Sequence, residues 1–555
     1  MPSALTYPGV YIEEIPSGVH TIIGVATSIT AFLGRAISGP PNNPTMINSF
    51  ADFERQFGGL GIDFPMSYSV RDFYVNGGSQ AIIVRLYKAK DGGSGIKRLT
   101  VNGLKLDSVN PGAWANTLAV TADQNEITDE VAKRYGLAKS DLFNLTVSQT
   151  VPGQDQPVVL ERLTNLSFKQ DDGLPAMARA RRVDRVLQQS SQYVRFTATK
   201  PDGKLDLPNS NPGASSPAPP AAPPPAPPVA PPVAPAGGAG GTAADQTGDD
   251  GQALDSTAFK SGLSALDTAD LFNLLCIPPD TRGGDTGADV YQAAMAYCKA
   301  RRAMLIVDPP ASWNSAATAK AGFGNAQSGQ GNLALPGDGA RNAAVYFPRV
   351  IQPDPLSQGQ LDTFVPCGIV AGLMAATDAQ RGVWKAPAGL ASGLVGIAGL
   401  QVKLTDGDSG TLNPLGINCL RAFPIVGAVI WGARTARGAD LLADEYKYVP
   451  VRRLALFIEE SLFRGTQWVV FEPNDEPLWS QIRLNVGAFM HNLFVQGAFQ
   501  GQTPAAAYFV KCDKDTTTQN DIDRGIVNII VGFAPLKPAE FVVIKIQQIA
   551  GNILT

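Results

Sequence analysis

Apolar positions follow two patterns along this chain, short continuous runs and stripes with helical spacing. Strand-like runs occur at 21–34 (TIIGVATSITAFLG) and 79–88 (SQAIIVRLYK), and residues 49–59 between them (SFADFERQFGG) have the cap and spacing of a helix. The alternation resumes after residue 268 with the segments ADLFNLLCIP, GADVYQAAMAYCKAR, RAMLIVDPP and NAAVYFPRV. Alternating strands and helices predict an α/β layer with parallel strands.

A region with a different pattern separates these two stretches. Residues 98–200 contain short segments of strand character divided by turn residues: KRLTVNGLKL, NTLAVTAD, LFNLTVSQTV, PVVLERLTNLSF and QYVRFTA. A proline-rich and then glycine-rich segment follows, from about Asn209 to Gly251, and predicts a spacer. Because the α/β pattern lies on both sides, we interpret the β-rich module and the spacer as an insertion into one α/β domain.

A third region, from about Asn413, contains two amphipathic helices and then two strands, AAAYFVKCD and GIVNIIVGFAP. The first helix begins near Pro450, and its apolar stripe consists of Val451, Leu454, Ile458 and Leu462. Four charged residues lie off that stripe: Arg452, Arg453, Glu459 and Glu460. The second helix follows PNDEP, and its stripe consists of Ile482, Val486, Phe489 and Leu493.

Both ends of the chain carry a strand-competent segment set apart by proline or glycine, PGVYIEEI (8–15) and AEFVVIKIQQI (539–549). The residues predicted to form these strands are Val10, Tyr11, Ile12, Val542, Ile544 and Ile546. A terminal strand lacks hydrogen-bond partners unless it finds a sheet edge. Two such ends predict strand addition to neighbouring copies and an open-ended assembly.

Composition narrows the classes of function. Among 555 residues, 45 Lys and Arg against 49 Asp and Glu give a net charge of −4, which provides no basic field for nucleic-acid binding. Charged residues make up only 17%, against about 25% in an average soluble protein. Burying charge at an interface is costly. A surface with few charges therefore favours a protein that places much of its surface against other molecules.

Targeting and membrane signals are not apparent in the sequence. No run of about 18 apolar residues predicts a membrane-spanning helix, and the N-terminal residues lack the features of a signal peptide. The cysteines are scattered and odd in number, at positions Cys276, Cys298, Cys367, Cys419 and Cys512. We expect buried thiols in a reducing compartment, hence synthesis in the cytoplasm without direct membrane insertion.

Catalytic, nucleotide-binding and metal-binding motifs were sought without success. The sequence has no Walker A, H-E-x-x-H or G-x-S-x-G pattern, and we interpret its two histidines, His20 and His491, as structural. Residues 513–523 lack the glycine and glutamate of a calcium loop and predict a hairpin loop. Asp308 is interpreted as a turn residue. Residues 381–387 (RGVWKAP) are compatible with a site built on their Arg, Trp and Lys and, equally well, with a loop that docks its tryptophan at an interface. We therefore predict no catalytic, cofactor-binding or metal-binding residue and no enzyme activity.

Segments along the whole chain resemble those of contractile tail sheath proteins, the family shared by contractile-tailed bacteriophages, R-type bacteriocins and extracellular contractile injection systems. Each segment is weak alone, but their order and spacing together are highly specific. They are PGVYIEEI, AFLG followed by GP, PGAWANTLAV, NLLCIP, LIVDPP, NAAVYFPRV, DAQRGVWKAPAG, GINCLRAFP, WGART, VVFEPNDEPLW and PAEFVVIKIQQ. The long proline-rich spacer is the one departure from the family pattern.

The resemblance implies an α/β multidomain fold: a subtilisin-like α/β domain with an inserted β-rich, sandwich-like domain, an α+β C-terminal domain, and extended N- and C-terminal strand arms. The expected boundaries are 1–21 for the N-terminal arm, 22–90 and 255–405 for the α/β domain, 91–205 for the inserted domain, 206–254 for the spacer, 406–536 for the C-terminal domain and 537–555 for the C-terminal arm.

The resemblance also implies a mechanical function without a cofactor. Sheath subunits form a homo-oligomer of hexameric rings, stacked helically around an inner tube protein and bounded by baseplate and terminator or cap proteins. Contraction from a metastable extended state drives the tube through a target envelope. The arms then complete sheets in neighbouring subunits. Under this reading Arg452, Arg453, Glu459 and Glu460 are candidate tube-facing residues, and an ordinary solvated helix face is the alternative.

Two other functions remain open at this point. One is an α/β enzyme with a β-rich accessory domain, which the missing catalytic motifs oppose. The other is a different structural protein of a phage particle, such as a capsid or baseplate component, which the order of the motifs opposes. A phage virion and a released or cytoplasmic injection particle are equally compatible with the sequence.

Overall fold

The architecture was analysed in a computed structural model. The residues that the structure describes are 20–90, 92–151, 153–154, 156–170, 174–200, 205–214, 247–324 and 331–545. Val10, Tyr11, Ile12 and Ile546 lie outside the described residues.

Strands occur in the α/β region, in the inserted region and in the C-terminal region. In the described part of the chain they are β1 (Thr30–Gly34), β2 (Thr45–Ile47), β3 (Ala81–Arg85), β4 (Arg98–Val101), β5 (Leu104–Ser108), β6 (Leu118–Asp123), β7 (Leu142–Gln149), β8 (Val158–Ser167), β9 (Val194–Arg195), β10 (Leu274–Cys276), β11 (Met304–Val307), β12 (Ala343–Phe347), β13 (Val350–Asp354), β14 (Gln360–Phe364), β15 (Gly399–Leu400), β16 (Ile417–Phe423), β17 (Gly427–Trp431), β18 (Tyr508–Lys511) and β19 (Ile530–Phe533).

Helices connect the strands of the α/β domain and dominate the C-terminal region. Within the described ranges they are α1 (Phe50–Phe57), α2 (Pro65–Val75), α3 (Asp129–Tyr135), α4 (Ala176–Ala180), α5 (Val183–Ser190), α6 (Ser256–Ala265), α7 (Ala288–Ala300), α8 (Ala316–Gly322), α9 (Cys367–Arg381), α10 (Asp406–Leu412), α11 (Val449–Gly465), α12 (Glu476–Val495), α13 (Pro504–Ala507) and α14 (Gln519–Asp523). None of these helices has the length and apolarity needed to cross a bilayer.

The α/β domain is built on one large sheet. Its eight described strands lie in the order β17-β16-β12-β11-β10-β1-β3-β2. The six central strands run parallel, and the edge strands β2 and β17 are antiparallel to their neighbours. Strands such as β11 (MLIV) and β12 (AAVYF) are buried throughout. Continuous apolar runs are what a parallel sheet covered on both faces requires, so this prediction from the sequence is confirmed.

The sheet extends further along the chain than expected. β16 pairs in parallel with β12, with Val345 opposite Ile417, and β17 pairs with β16. The predicted boundary between residues 405 and 406 is therefore wrong, because the sheet continues to Trp431. The pattern of apolar and polar residues changes near Asn413 because a helix and a turn precede β16. That local pattern does not indicate which sheet the next strand joins.

Helices α2 and α9 approach each other closely on one face of the sheet. Gly368 and Gly372 lie on α9 against α2. A β-carbon at Gly368 would lie 2.0 Å from the carbonyl oxygen of Ser69, and one at Gly372 would lie 2.5 Å from the carbonyl oxygen of Phe73. The two helix backbones can meet at this distance only because neither position carries a side chain.

The inserted region forms two small sheets, β4-β5-β9 and β6-β7-β8, around one apolar core. Arg85, at the end of β3, fixes the junction with the α/β domain. Its guanidinium donates to the carbonyl oxygens of Ala36 (3.0 Å), Gly39 (2.7 Å) and Pro111 (2.8 Å). Burial among these neutral acceptors lowers the pKa of Arg85 to about 10.

The predicted spacer, 206–254, is too long at both ends. Leu207 is buried in the core of the inserted region, and the Asn211 side chain donates to the carbonyls of Ser140 and Leu142. Near the other end of the predicted spacer, the backbone N–H of Gly248 donates to the Asn116 side chain at 2.8 Å. Both flanks of the low-complexity segment therefore belong to packed structure. Their composition resembles that of the spacer, but individual residues in them pack and form hydrogen bonds with the inserted region.

The C-terminal domain combines α11 and α12 with the antiparallel pair β18-β19. Seven of the eight predicted stripe residues are buried, and Leu462 is half-buried, so the two amphipathic helices are confirmed. Residues 513–523 lie between β18 and β19, where Thr518 caps the short helix α14. Across the described residues, no group of three or more His, Cys, Asp or Glu side chains could hold a metal ion.

Candidate functional site

The root of the N-terminal arm lies on the C-terminal helices. The backbone N–H of His20 donates to Asn485 Oδ1 (3.2 Å), and the His20 ring stacks on Trp468 with 4.1 Å between ring centroids. Further along, Val25 N–H donates to Ser461 Oγ (3.2 Å). Residues 21–29, predicted as part of a strand, are instead an extended strap that crosses α11 and α12 before β1 begins.

A buried ion pair fastens this strap to both domains. Arg453 on α11 donates to Asp378 on α9 through two nitrogens, at 2.9 and 2.6 Å, and to the carbonyl oxygen of Thr27 at 2.9 Å. Thr27 Oγ1 also donates to Asp378 (2.6 Å). The side chains of Arg453 and Asp378 are 3% and 5% exposed. Helices α9 and α11 and the N-terminal strap therefore meet at one desolvated charge pair.

Glu460 is likewise buried within the chain. Its carboxylate accepts from Arg302 Nε at 2.5 Å and from Arg464 Nε at 2.7 Å. Burial alone would raise the pKa of Glu460, but the hydrogen bonds from Arg464 and Arg302 outweigh it and hold the pKa below its ordinary value. Arg452 donates to Asn342 Oδ1, and the side chain of its partner Glu459 is 42% exposed.

These contacts correct the expectation that all four charged residues of α11 face outward. Arg453 and Glu460 form a second face, spaced as i and i+7, which the strap and the α/β domain cover. Arg452 and Glu459 keep some exposure. The apolar stripe identifies one buried face of a helix but does not tell whether a second face is covered through ion pairs.

The root of the C-terminal arm runs from the C-terminal domain to the α/β domain. After β19, Ala534 N–H donates to the carbonyl oxygen of Ala507. Six residues later the Glu540 carboxylate forms a bidentate ion pair with Arg434. Arg434 Nε and Nη2 each donate to a different carboxylate oxygen, both at 2.7 Å. Burial would raise the pKa of Glu540, but the hydrogen bonds from Arg434 and Asn413 hold it below its ordinary value.

Beyond Glu540 the segment is apolar and exposed. Phe541, Val542, Val543 and Ile544 are 76–82% exposed, and the described residues after 540 form no strand within the chain. Val542 and Ile544, two of the predicted arm residues, are thus unpaired in this isolated subunit. A groove of about 1190 Å³ lies along the segment, with Trp384, Trp431, Leu536 and Pro538 among its lining residues.

Asp308 has a role that sequence reasoning missed. It lies at the end of β11, is 4% exposed, and accepts the backbone N–H of Cys367, the first residue of α9, at 2.9 Å. Its other oxygen is buried without a hydrogen bond. Burial raises the pKa of Asp308 to about 7. Asp308 thus caps a helix that follows it by 59 residues. Neither histidine is near Asp308: His20 packs on the C-terminal helices and His491 lies on α12.

Asp308 is expected to give stability a specific pH dependence. Its folded-state pKa lies above the ordinary value, so its contribution is complete below about pH 4 and is lost as the pH rises towards about 7. Stability falls by about 1.4 kcal/mol per pH unit below the folded-state pKa and half as steeply at that pKa, which gives about 2 kcal/mol between pH 5 and pH 7. In urea denaturation, the unfolding free energy of Asp308→Asn should therefore rise by about 2 kcal/mol relative to that of the parent chain over this interval. The exposed control Asp63→Asn should show the same change in unfolding free energy between pH 5 and pH 7 as the parent chain. If Asp308→Asn also showed the parent's change, Asp308 would already be ionised at pH 5 and the prediction would be wrong.

Comparison with known families identifies two matches in the second half of the chain. Residues 253–436 match the model of the phage tail sheath protein central domain, and residues 443–549 match that of the phage tail sheath C-terminal domain. The tail sheath protein of Vibrio phage KVP40 is 27% identical over 179 residues, or 32% of this chain. The matched segment spans only 25% of that relative.

Solved structures with the same fold cover nearly the whole chain. The sheath complex of the extracellular contractile injection system PVC in its contracted state has a TM-score of 0.55 at 20% identity, over 98% of both chains. The anti-feeding prophage baseplate gives 0.53 at 22% identity, over 98% of this chain and 99% of the other. A sheath tail protein of Listeria innocua gives 0.54 at 12% identity, over 93% and 96%.

Proposed function

Because the chain belongs to the phage tail sheath family, we propose that it is a structural subunit of a contractile sheath. In this proposal copies of the chain form hexameric rings that stack helically around an inner tube, with a baseplate at one end and a terminator or cap protein at the other. Contraction from a metastable extended state drives the tube through a target envelope. The particle is a phage tail or an injection device, and its α/β domain is subtilisin-like in fold alone.

The observation that carries this proposal is the exposed apolar segment after Glu540. Four consecutive bulky apolar residues, Phe541 to Ile544, have no partner strand in the described part of the chain and are mostly in contact with solvent. Large exposed apolar patches on soluble proteins mark interaction surfaces. A segment with this composition and an extended path suits addition to a sheet of another subunit.

The pair β18-β19 is a candidate acceptor for such a strand. Each of its strands has four residues, and in the described structure they pair only with each other. An isolated two-stranded pair has marginal stability, and further strands on its edges would stabilise it. We propose that Val542, Ile544 and Ile546 of one copy, and Val10, Tyr11 and Ile12 of another, supply these strands.

Contact with the inner tube is proposed for a smaller part of α11 than the sequence indicated. Glu459 is the most exposed of the four charged residues, and Arg452 lies beside it at 3.2 Å. The Glu459 side chain is 42% exposed and that of Arg452 only 11%, so the contact with the tube would be made through Glu459. Ion pairs of exposed side chains contribute about 0–1 kcal/mol and can break and re-form at low cost. Arg453 and Glu460 would act instead by holding the subunit rigid.

Negative-stain microscopy of the purified full chain tests the proposed function. We expect striated cylinders, because strand exchange between identical copies generates an open-ended helical array. Discrete particles of uniform size at all concentrations would contradict a sheath and favour another structural role.

A further inference from the structure

The C-terminal segment crosses from one domain to the other before it becomes exposed. It leaves β19 at Phe533, where Gln500 N–H donates to the carbonyl oxygen of Ala534 and Phe499 bridges Pro535. Residues 536–539 then run along the groove without regular secondary structure. Glu540 is the next residue with polar side-chain contacts to the body of the subunit.

Glu540 carries an unusually complete set of partners for a residue in an irregular segment. Besides the two bonds from Arg434, its carboxylate accepts from Asn413 Nδ2 at 2.8 Å and from Tyr448 OH at 3.1 Å. Two-pronged Arg–carboxylate pairs are among the strong charge-assisted hydrogen bonds of proteins. By contrast, Lys537 and Lys545 on the same segment are exposed.

Arg434 is itself held rigidly, so that the socket for Glu540 is already formed by the α/β domain. The Arg434 side chain is 0% exposed, and its Nη1 donates to the carbonyl oxygens of Asn413 (3.0 Å) and Gly438 (3.3 Å). The Asn418 side chain on β16 binds both the backbone N–H and the carbonyl of Arg434. A preorganised guanidinium loses little conformational entropy when the carboxylate binds.

We propose that Glu540 is a latch that joins the root of the C-terminal arm to the α/β domain and thereby sets where the arm begins. With the latch closed, only residues after Glu540 can reach towards another copy. With the latch open, residues 536–540 join the tether and extend its reach by about 17 Å, at about 3.4 Å per residue. The latch also directs tension on the arm to the large sheet rather than to the short pair β18-β19. This inference rests on the proposed exchange of arms between copies.

A nitroxide spin label on the full-length chain, kept dilute and monomeric, tests the latch separately from assembly. The label is attached at Ala539→Cys, next to Glu540, where the native side chain is exposed, and the five native cysteines are buried. In the labelled parent chain the motion of the label should be restricted, and in Glu540→Ala its rotational correlation time should fall at least about threefold, because loss of the latch permits local opening. Glu540→Gln, which keeps the shape but loses the charge, should give an intermediate mobility. Circular dichroism should not change, which shows that the fold is retained.

Matched variants distinguish the latch from a general effect on the segment. In Lys537→Ala the label should be as restricted as in the parent chain, whereas Arg434→Lys, which cannot form the bidentate pair, should resemble Glu540→Ala. Equal mobility of the label in the parent and Glu540→Ala would overturn the proposal, as would a freely mobile label in the parent. Because the readout uses monomers, failure to form cylinders would count against the proposed function and leave the latch unaffected.

Discussion

Replacement of Asp378 by alanine is expected to lower the free energy of unfolding by about 3–5 kcal/mol, because it leaves the Arg453 guanidinium buried without its counter-ion. Asp378 accepts bonds from Arg453 and from Thr27 Oγ1, and so the loss should also loosen the N-terminal strap. Urea denaturation followed by tryptophan fluorescence measures the change.

Two comparisons make this result specific to the buried pair. Lys105→Ala breaks the exposed pair with Asp206, whose side chains are 46% and 34% exposed, and should cost about 0–1 kcal/mol. The double variant Asp378→Leu with Arg453→Met replaces both charges by apolar groups and should recover most of the loss. If Asp378→Ala were no more destabilising than Lys105→Ala, the pair would not stabilise the joint between the domains.

Removal of residues 538–555 is expected to leave a folded subunit that no longer polymerises. The deletion takes away the exposed apolar segment and Glu540, but it leaves β19 and the cores of all the domains. Circular dichroism should report unchanged secondary structure, while sedimentation and negative-stain microscopy should show monomers where the full chain gives cylinders. Full-length cylinders from the truncated chain would refute the exchange of C-terminal arms.

Point variants separate the pairing of the arm from the loss of Glu540. Val542→Asp together with Ile544→Asp introduces charge on the predicted buried face of the arm strand and should also prevent polymerisation. Lys545→Ala alters the opposite face and should polymerise normally. Polymerisation of the double aspartate variant would show that this face does not pack against a neighbour.

The sequence was a reliable guide wherever a short-range pattern carried the information. Continuous apolar runs located β11 and β12, and the helical stripes located α11 and α12. These features depend on local periodicity and composition. The position of β16 in the large sheet was missed, because a strand's partner is selected by packing across the whole domain.

The candidate sites show the same division more sharply. The apolar character of Phe541 to Ile544 was evident from the sequence alone, since all four residues are apolar. The partners Arg434 and Glu540 lie 106 residues apart, Arg453 and Asp378 lie 75 apart, and Asp308 and Cys367 lie 59 apart. No periodic pattern links such positions.

The sequence by itself determined the family resemblance, the amphipathic elements and the apolar ends of the chain. Only the tertiary structure decided which charges are buried. Arg453 and Glu460 occupy positions that read as a polar helix face, yet Asp378, Arg302 and Arg464 neutralise them inside the subunit. A hydrophobic residue signals burial by its own chemistry. A charged residue can be buried only when hydrogen-bond partners or an opposite charge satisfy it, and which residues supply these partners is a property of the fold.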